Sequence, residues 1–161
     1  MNRNRFMFNL AGAKRIGIIY PIFTPSDYNE VEAFVSELQK ERKEVKALGY
    51  LPHKEMVSHF IPRLSYDFFS QEEVNWYFMP TSARVSDFIR TDFDLLIDLT
   101  LEDNLSLKFI AGLSQARCKV GRFSETNNRY YDLMIKVDAP LPLTEFIKQI
   151  QHYLTIIQQH E

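Results

Sequence analysis

A single cysteine, Cys118, leaves no partner for an intramolecular disulfide and no set for a cysteine-based metal cage. A reducing, cytoplasmic location is the expectation that follows. Five glycines and seven prolines in 161 residues are too few for a flexible or low-complexity chain. No stretch approaches the roughly 18 uncharged apolar residues that a membrane helix requires. The first residues loosely imitate a secretory signal, but Asn9 interrupts the apolar run ahead of Ala11-Gly12-Ala13, so no cleaved leader is expected. The formal net charge of -2 supplies no field to draw phosphates, and no nucleic-acid partner is expected.

Catalytic and cofactor motifs are missing as well. Neither the six-residue glycine fingerprint nor the P-loop occurs, and no serine sits in a G-x-S-x-G elbow. The loop after the first apolar run, Pro21-Ile22-Phe23-Thr24-Pro25-Ser26-Asp27, has no glycine, and its two prolines remove backbone donors. NAD and ATP in their usual modes are therefore disfavoured, and no cofactor is expected. His53-Lys54-Glu55 matches half of a zinc deaminase pattern whose other half needs two cysteines. His53 and His59 lack ligand spacing, as do His152 and His160, so neither a metal site nor a catalytic residue is assigned.

What the chain does contain is core material, 45% apolar and 14% aromatic residues, enough for one domain. A basic amphipathic arm, residues 1–14, precedes it. Arg3, Arg5, Lys14 and Arg15 stand there beside Phe6, Met7, Phe8 and Leu10 with no acid. Such an arm covers a sheet edge or makes weak contact with a membrane surface or a partner. Residues 15–161 read as strands alternating with helices.

"RIGIIY" (15–20) and "DLLIDL" (94–99) are short continuous apolar runs, the mark of strands covered on both faces. "EVKALGYL" (44–51), "SYDFF" (65–69), "CKVGRF" (118–123) and "DLMIKV" (132–137) supply the others. Tyr28, Val31, Phe34, Val35 and Leu38 form a helical stripe that Thr24 or Ser26 can cap, with Pro25 in the first turn. Ser82 caps a short helix, Asp103 a largely buried one, and Pro142 opens a last helix with Phe146, Ile147, Ile150, Leu154 and Ile157 in line. Residues 52–64 read as loop with one helical turn, and Trp76 as a hydrophobic plug over the sheet. Gly112, inside the buried helix, calls for a close helix contact.

This alternation predicts a three-layer Rossmann-like α/β fold with a mostly parallel sheet of five or six strands. The link between the last two strands is shorter than a parallel crossover usually needs, which points to one antiparallel edge strand. Ligands in such sheets sit beyond the carboxyl ends of the strands, here at residues 21–27, 51–54, 100–104 and 122–129. Carboxylates gather after the fourth strand as Asp98, Glu102 and Asp103. Facing them in sequence logic is a donor-rich loop with Arg122, Asn127, Asn128 and Arg129. The candidate ligand-binding residues are thus Asp27, Asp98, Glu102, Arg122, Asn127, Asn128 and Arg129.

From "RIGIIY" through "FDLLIDLTLEDNLSLKFIAGLSQARCKVGRF" to "YYDLMI", the chain resembles a small bacterial family of uncharacterised single-domain proteins across roughly residues 15–157. The strand-helix-strand ending in Lys119-Val120-Gly121-Arg122-Phe123 is similar, over about 30 residues, to part of the N-terminal half of lipopolysaccharide heptosyltransferases. That resemblance implies a Rossmann-like half-domain, with Asp27 as the positional counterpart of the family's catalytic base and Ser26 where its glycine is expected. The functional expectation is a non-catalytic module that binds a small polar ligand or a protein partner, a second copy included. Its alternative is a glycosyltransferase-like half acting at the strand ends, with Asp27 or Asp98 as base.

Overall fold

The structure is a computed structural model that describes residues 3–73, 82–126, 129–138 and 140–157. Six strands, β1 (Arg15–Pro21), β2 (Glu44–Leu51), β3 (Tyr66–Ser70), β4 (Leu95–Asp98), β5 (Cys118–Arg122) and β6 (Leu133–Ile135), lie in the order β3-β2-β1-β4-β5-β6. Every neighbouring pair is parallel. The expected antiparallel edge strand is therefore corrected: Val120 pairs with Leu133 and Arg122 with Ile135 in the same direction. The link of residues 123–132 has to return only about 7 Å along β5 and one strand spacing sideways. Ten extended residues reach roughly 33 Å, so this crossover closes without a full helix.

Helices α1 (Pro25–Lys40), α2 (Lys54–Val57), α3 (Ala83–Arg90), α4 (Leu105–Leu113) and α5 (Leu143–Ile156) cover both faces. On one face Ile16, Ile18 and Tyr20 of β1 meet Val31, Phe34, Val35 and Leu38 of α1 and Phe146, Ile147, Ile150 and Leu154 of α5. On the other, Ile19 and Leu96 meet Val85 and Phe88 of α3 and Leu107, Ile110 and Ala111 of α4. The continuous apolar runs of β1 and β4 are the sequence image of this two-sided burial. Cys118 is wholly buried, and its thiol is pushed up to about 11 by that burial, which keeps it inert.

Helix starts follow capping chemistry. Thr24 is the N-cap of α1 with Pro25 in the first turn, and the Ser82 hydroxyl accepts from the Val85 amide at 3.3 Å. The cap of α4 is corrected from Asp103 to Asn104, whose carbonyl oxygen accepts from the Leu107 amide at 3.0 Å. The helix begins one residue later than a cap at Asp103 would start it, which frees the Asp103 carboxylate to pair with Lys108 at 3.2 Å and Arg122 at 3.3 Å. Gly112 does meet a close neighbour, but it is the Tyr130 ring, 3.1 Å from where a Cβ would stand, and not another helix. The Gly112 carbonyl accepts from buried Lys119 at 3.3 Å, an ammonium pulled down to about 8 chiefly by burial.

The described part of the arm is strapped to the sheet. The Phe6 amide donates to the Arg117 carbonyl at 3.1 Å and the Leu10 amide to the Leu154 carbonyl at 2.8 Å. Phe8 is buried, and Phe6, Met7 and Leu10 pack against the same core. Arg3 bonds Asp132 at 2.6 Å and the carbonyls of Ala116 and Arg117 at 3.1 Å. Arg15 pairs with Glu44 at 3.2 Å, and Asp94 accepts from the Lys14 and Arg15 amides at 2.7 and 3.0 Å. The apolar face of the arm is thus turned inward. Trp76 lies outside the described residues.

Candidate functional site

In a parallel sheet every strand points its carboxyl end the same way, so all following loops meet at one edge. The chain builds outward from β1 through β2 to β3, then returns to the other side of β1 to lay down β4, β5 and β6. The loops after β1 and β4 consequently run apart and leave a crevice between them. A cleft of about 680 Å³ opens there. Pro21, Phe23 and Asp27 line it from the β1–α1 turn, Leu99, Leu101 and Glu102 from the β4–α4 turn, and Arg122 from the end of β5. Val137, Asp138, Pro140, Leu141 and Leu143 close it from the segment that leads out of β6 into α5.

Asp27 faces the cleft while serving the start of α1. Its Oδ2 accepts from the backbone amides of Phe23 at 2.9 Å and Thr24 at 3.1 Å. Those are the donors that a phosphate would take at a helix N-terminus after a first strand, and Pro25 offers no replacement. The chain thereby fills its own anion seat. The spacing Thr24-x-x-Asp27 is a capping signature that the sequence carries openly.

Asp98 sits below the cleft floor, only 3% exposed. It accepts from the Thr100 amide at 2.9 Å, from the Thr100 hydroxyl and from the Tyr131 phenol. Burial raises its carboxyl above the ordinary value of 3.8, with these hydrogen bonds opposing the rise. The void beside it, about 10 Å³, is too small for an organic ligand. Burial and the neighbouring carboxylate both drive the Tyr131 phenol upward. Asp98 is thus a brace between β4 and the β5–β6 link.

One consequence is a stability slope with pH. A carboxyl whose folded value is raised contributes most below its unfolded value of 3.8, and that contribution is lost as pH rises through the folded value. Asp98→Asn keeps the acceptor for Thr100 and removes the titration. Urea unfolding between pH 4 and 8 should show it gaining on the parent by about 1.4 kcal/mol per pH unit until the folded carboxyl ionises. A parent that gains on the variant as pH rises would mean the charged form is the favoured one.

Of the other expected residues, Glu102 and Arg122 stand in the cleft wall together with Asp27. Arg129 is exposed and is not among the residues lining the cleft, and Asn127 and Asn128 lie outside the described residues. Loop 51–54 does not line the cleft; the α2 segment after it borders a second groove of about 620 Å³ between α1 and residues 55–63. Tyr28, Met56, Phe60 and Phe68 line that groove, and Arg63 at its rim bonds Glu32 at 2.7 Å and the Tyr28 phenol. Ile61 of that groove and nearby in sequence Leu64 are 75% and 94% exposed.

Among the cleft residues that the sequence did not single out are Phe23, Asp138 and Leu141. Phe23 follows β1 directly, where only its loop position marked it. Asp138 and Leu141 follow β6, whose assumed reversal placed them at the far end of the sheet. Among the described residues no three His, Cys, Asp or Glu side chains gather to hold a metal ion, and no helix is long and apolar enough to cross a membrane.

No curated protein and no solved structure matches the chain. Its match is to a set of sequences that share this whole span, from the arm through α5, rather than one motif. Over residues 1–157 the chain belongs to the family of unknown function DUF6913.

Proposed function

We propose that the chain is a non-catalytic binding module that holds a small polar organic ligand in the cleft between β1 and β4. The observation that carries this reading is convergence: segments following β1, β4, β5 and β6 enclose about 680 Å³ with apolar walls and a few charged groups. That volume lies within the roughly 300 to 1,000 Å³ typical of ligand sites.

The two carboxylates with the best positional claim to act as base are both engaged, Asp27 by two backbone amides and Asp98 by three donors in the interior. Binding without turnover is the reading these contacts favour.

A thermal-shift screen with amines, amino acids, nucleotides, sugar nucleotides and divalent ions tests it. A ligand at about 100 times its Kd adds about 2.7 kcal/mol, which in a chain of this size raises Tm by roughly 5 to 10 °C. The shift should vanish in Leu101→Trp, which fills the cleft. A screen without any shift, or a shift that Leu101→Trp leaves intact, would overturn the proposal.

A further inference from the structure

We infer that the ligand of this cleft is an organic cation, an amine carried on an apolar body. The inference rests on the cleft being a ligand site and names what that site selects.

The first ground is the loss of the usual anion seat. At the N-terminus of α1 the amides of Phe23 and Thr24 are already held by Asp27 Oδ2 at 2.9 and 3.1 Å. A phosphate or carboxylate arriving there would meet a carboxylate already in place, and displacing it would uncap the helix.

The second ground is the balance of charge around the cleft. Asp27, Glu102 and Asp138 line it against one guanidinium, that of Arg122, which has Asp103 at 3.3 Å. Carboxylates only accept hydrogen bonds and an ammonium only donates them, so the wall is complementary to an amine. These acids do not gather at a point, since no three metal-ligating side chains among the described residues converge. Acids spread around a wall suit a ligand that presents one or more ammonium groups along an extended body, and not a single bare ion.

The third ground is the remainder of the lining. The Phe23 ring stands 47% exposed at the cleft, a face on which a cation can rest. Leu101 and its apolar neighbours would take the methylene or aryl portion of the ligand. An amine with an apolar body thus finds a partner for each of its parts.

Isothermal titration of the intact chain with 1,5-diaminopentane, spermidine and phenethylamine, against hexanoate, inorganic phosphate and AMP, tests the inference. At least one amine should bind, and Glu102→Gln and Asp138→Asn should each weaken it about tenfold, the loss expected for one charge-assisted hydrogen bond. Both side chains are exposed, and matching circular dichroism spectra establish that the variants fold. Binding of an anion but of no amine overturns the inference and leaves the ligand-binding reading standing. Amine binding that neither substitution alters also overturns it, since the amine then sits elsewhere. Failure of every probe here, together with a blank thermal screen, removes both.

Discussion

Gly121→Ala is expected to destabilise the fold by about 2.5 to 6 kcal/mol, far more than one added methyl group suggests. A Cβ on Gly121 would stand 2.7 Å from two ring atoms of Tyr131 and 2.9 Å from a third. The ring has no room to retreat, because Tyr131 is packed into the α3–α4 core and its phenol donates to buried Asp98. Displacing it strains the core by about 1 to 3 kcal/mol and takes a donor from a buried carboxyl group, worth a further 1.5 to 3 kcal/mol when the acceptor is charged. Urea unfolding at pH 7 measures the sum.

The same perturbation should cost less in an Asp98→Asn background, where no buried carboxyl group is left short of a donor, so the two changes will be less than additive. A single-variant effect below about 0.5 kcal/mol would mean that the ring shifts freely and that the link between β5 and β6 is not braced through Asp98.

The second large effect is expected on removing residues 1–13. Their loss uncovers the surface under Phe8 and half-buried Phe6, Met7 and Leu10. It also takes Arg3 and Arg5 from Asp132, a carboxylate 14% exposed whose side chain then keeps, among the described residues, the Lys119 amide at 2.9 Å with Lys119 itself nearby. Truncating one buried phenylalanine costs about 3 to 5 kcal/mol. Against a total stability of about 5 to 15 kcal/mol, deletion of the whole arm should leave a chain that is marginal or unfolded at 37 °C by circular dichroism. Phe8→Ala, expected to lose about 3 kcal/mol, gives a measurable version should the deletion not fold at all.

With its apolar side chains committed to the core, the intact arm should float with anionic liposomes no better than background at physiological salt. Robust flotation together with unchanged stability of Phe8→Ala would reverse the assignment and make the arm a membrane segment.

Much of the architecture is legible in the sequence. "RIGIIY" and "DLLIDL" read as strands buried on both faces, because they are short, continuous apolar runs rich in isoleucine and leucine. α1 announces itself through its apolar stripe, its Thr24-Pro25 start and its acidic first turn. Asp27, Glu102 and Arg122 follow from the rule that ligand loops lie at strand carboxyl ends, and the cleft holds all three. The same logic could not separate Asp98 from Glu102. Both close the fourth strand in sequence, but strand alternation turns Asp98 toward the α4 face and into the interior, while Glu102 stands clear of it.

Taken alone, the order of residues determined the layers, the elements and the end of the sheet where a ligand would sit, since each depends on local periodicity, capping and turn chemistry. Tertiary structure decided the direction of β6. That choice is made by a ten-residue link and a three-residue strand pairing, neither of which leaves a local pattern. It matters because a parallel β6 delivers Val137, Asp138 and Leu141 to the same edge as Phe23 and Glu102, whereas a reversed one would carry them to the opposite end. The cleft's fourth wall, and with it one of its three carboxylates, comes from that long-range pairing.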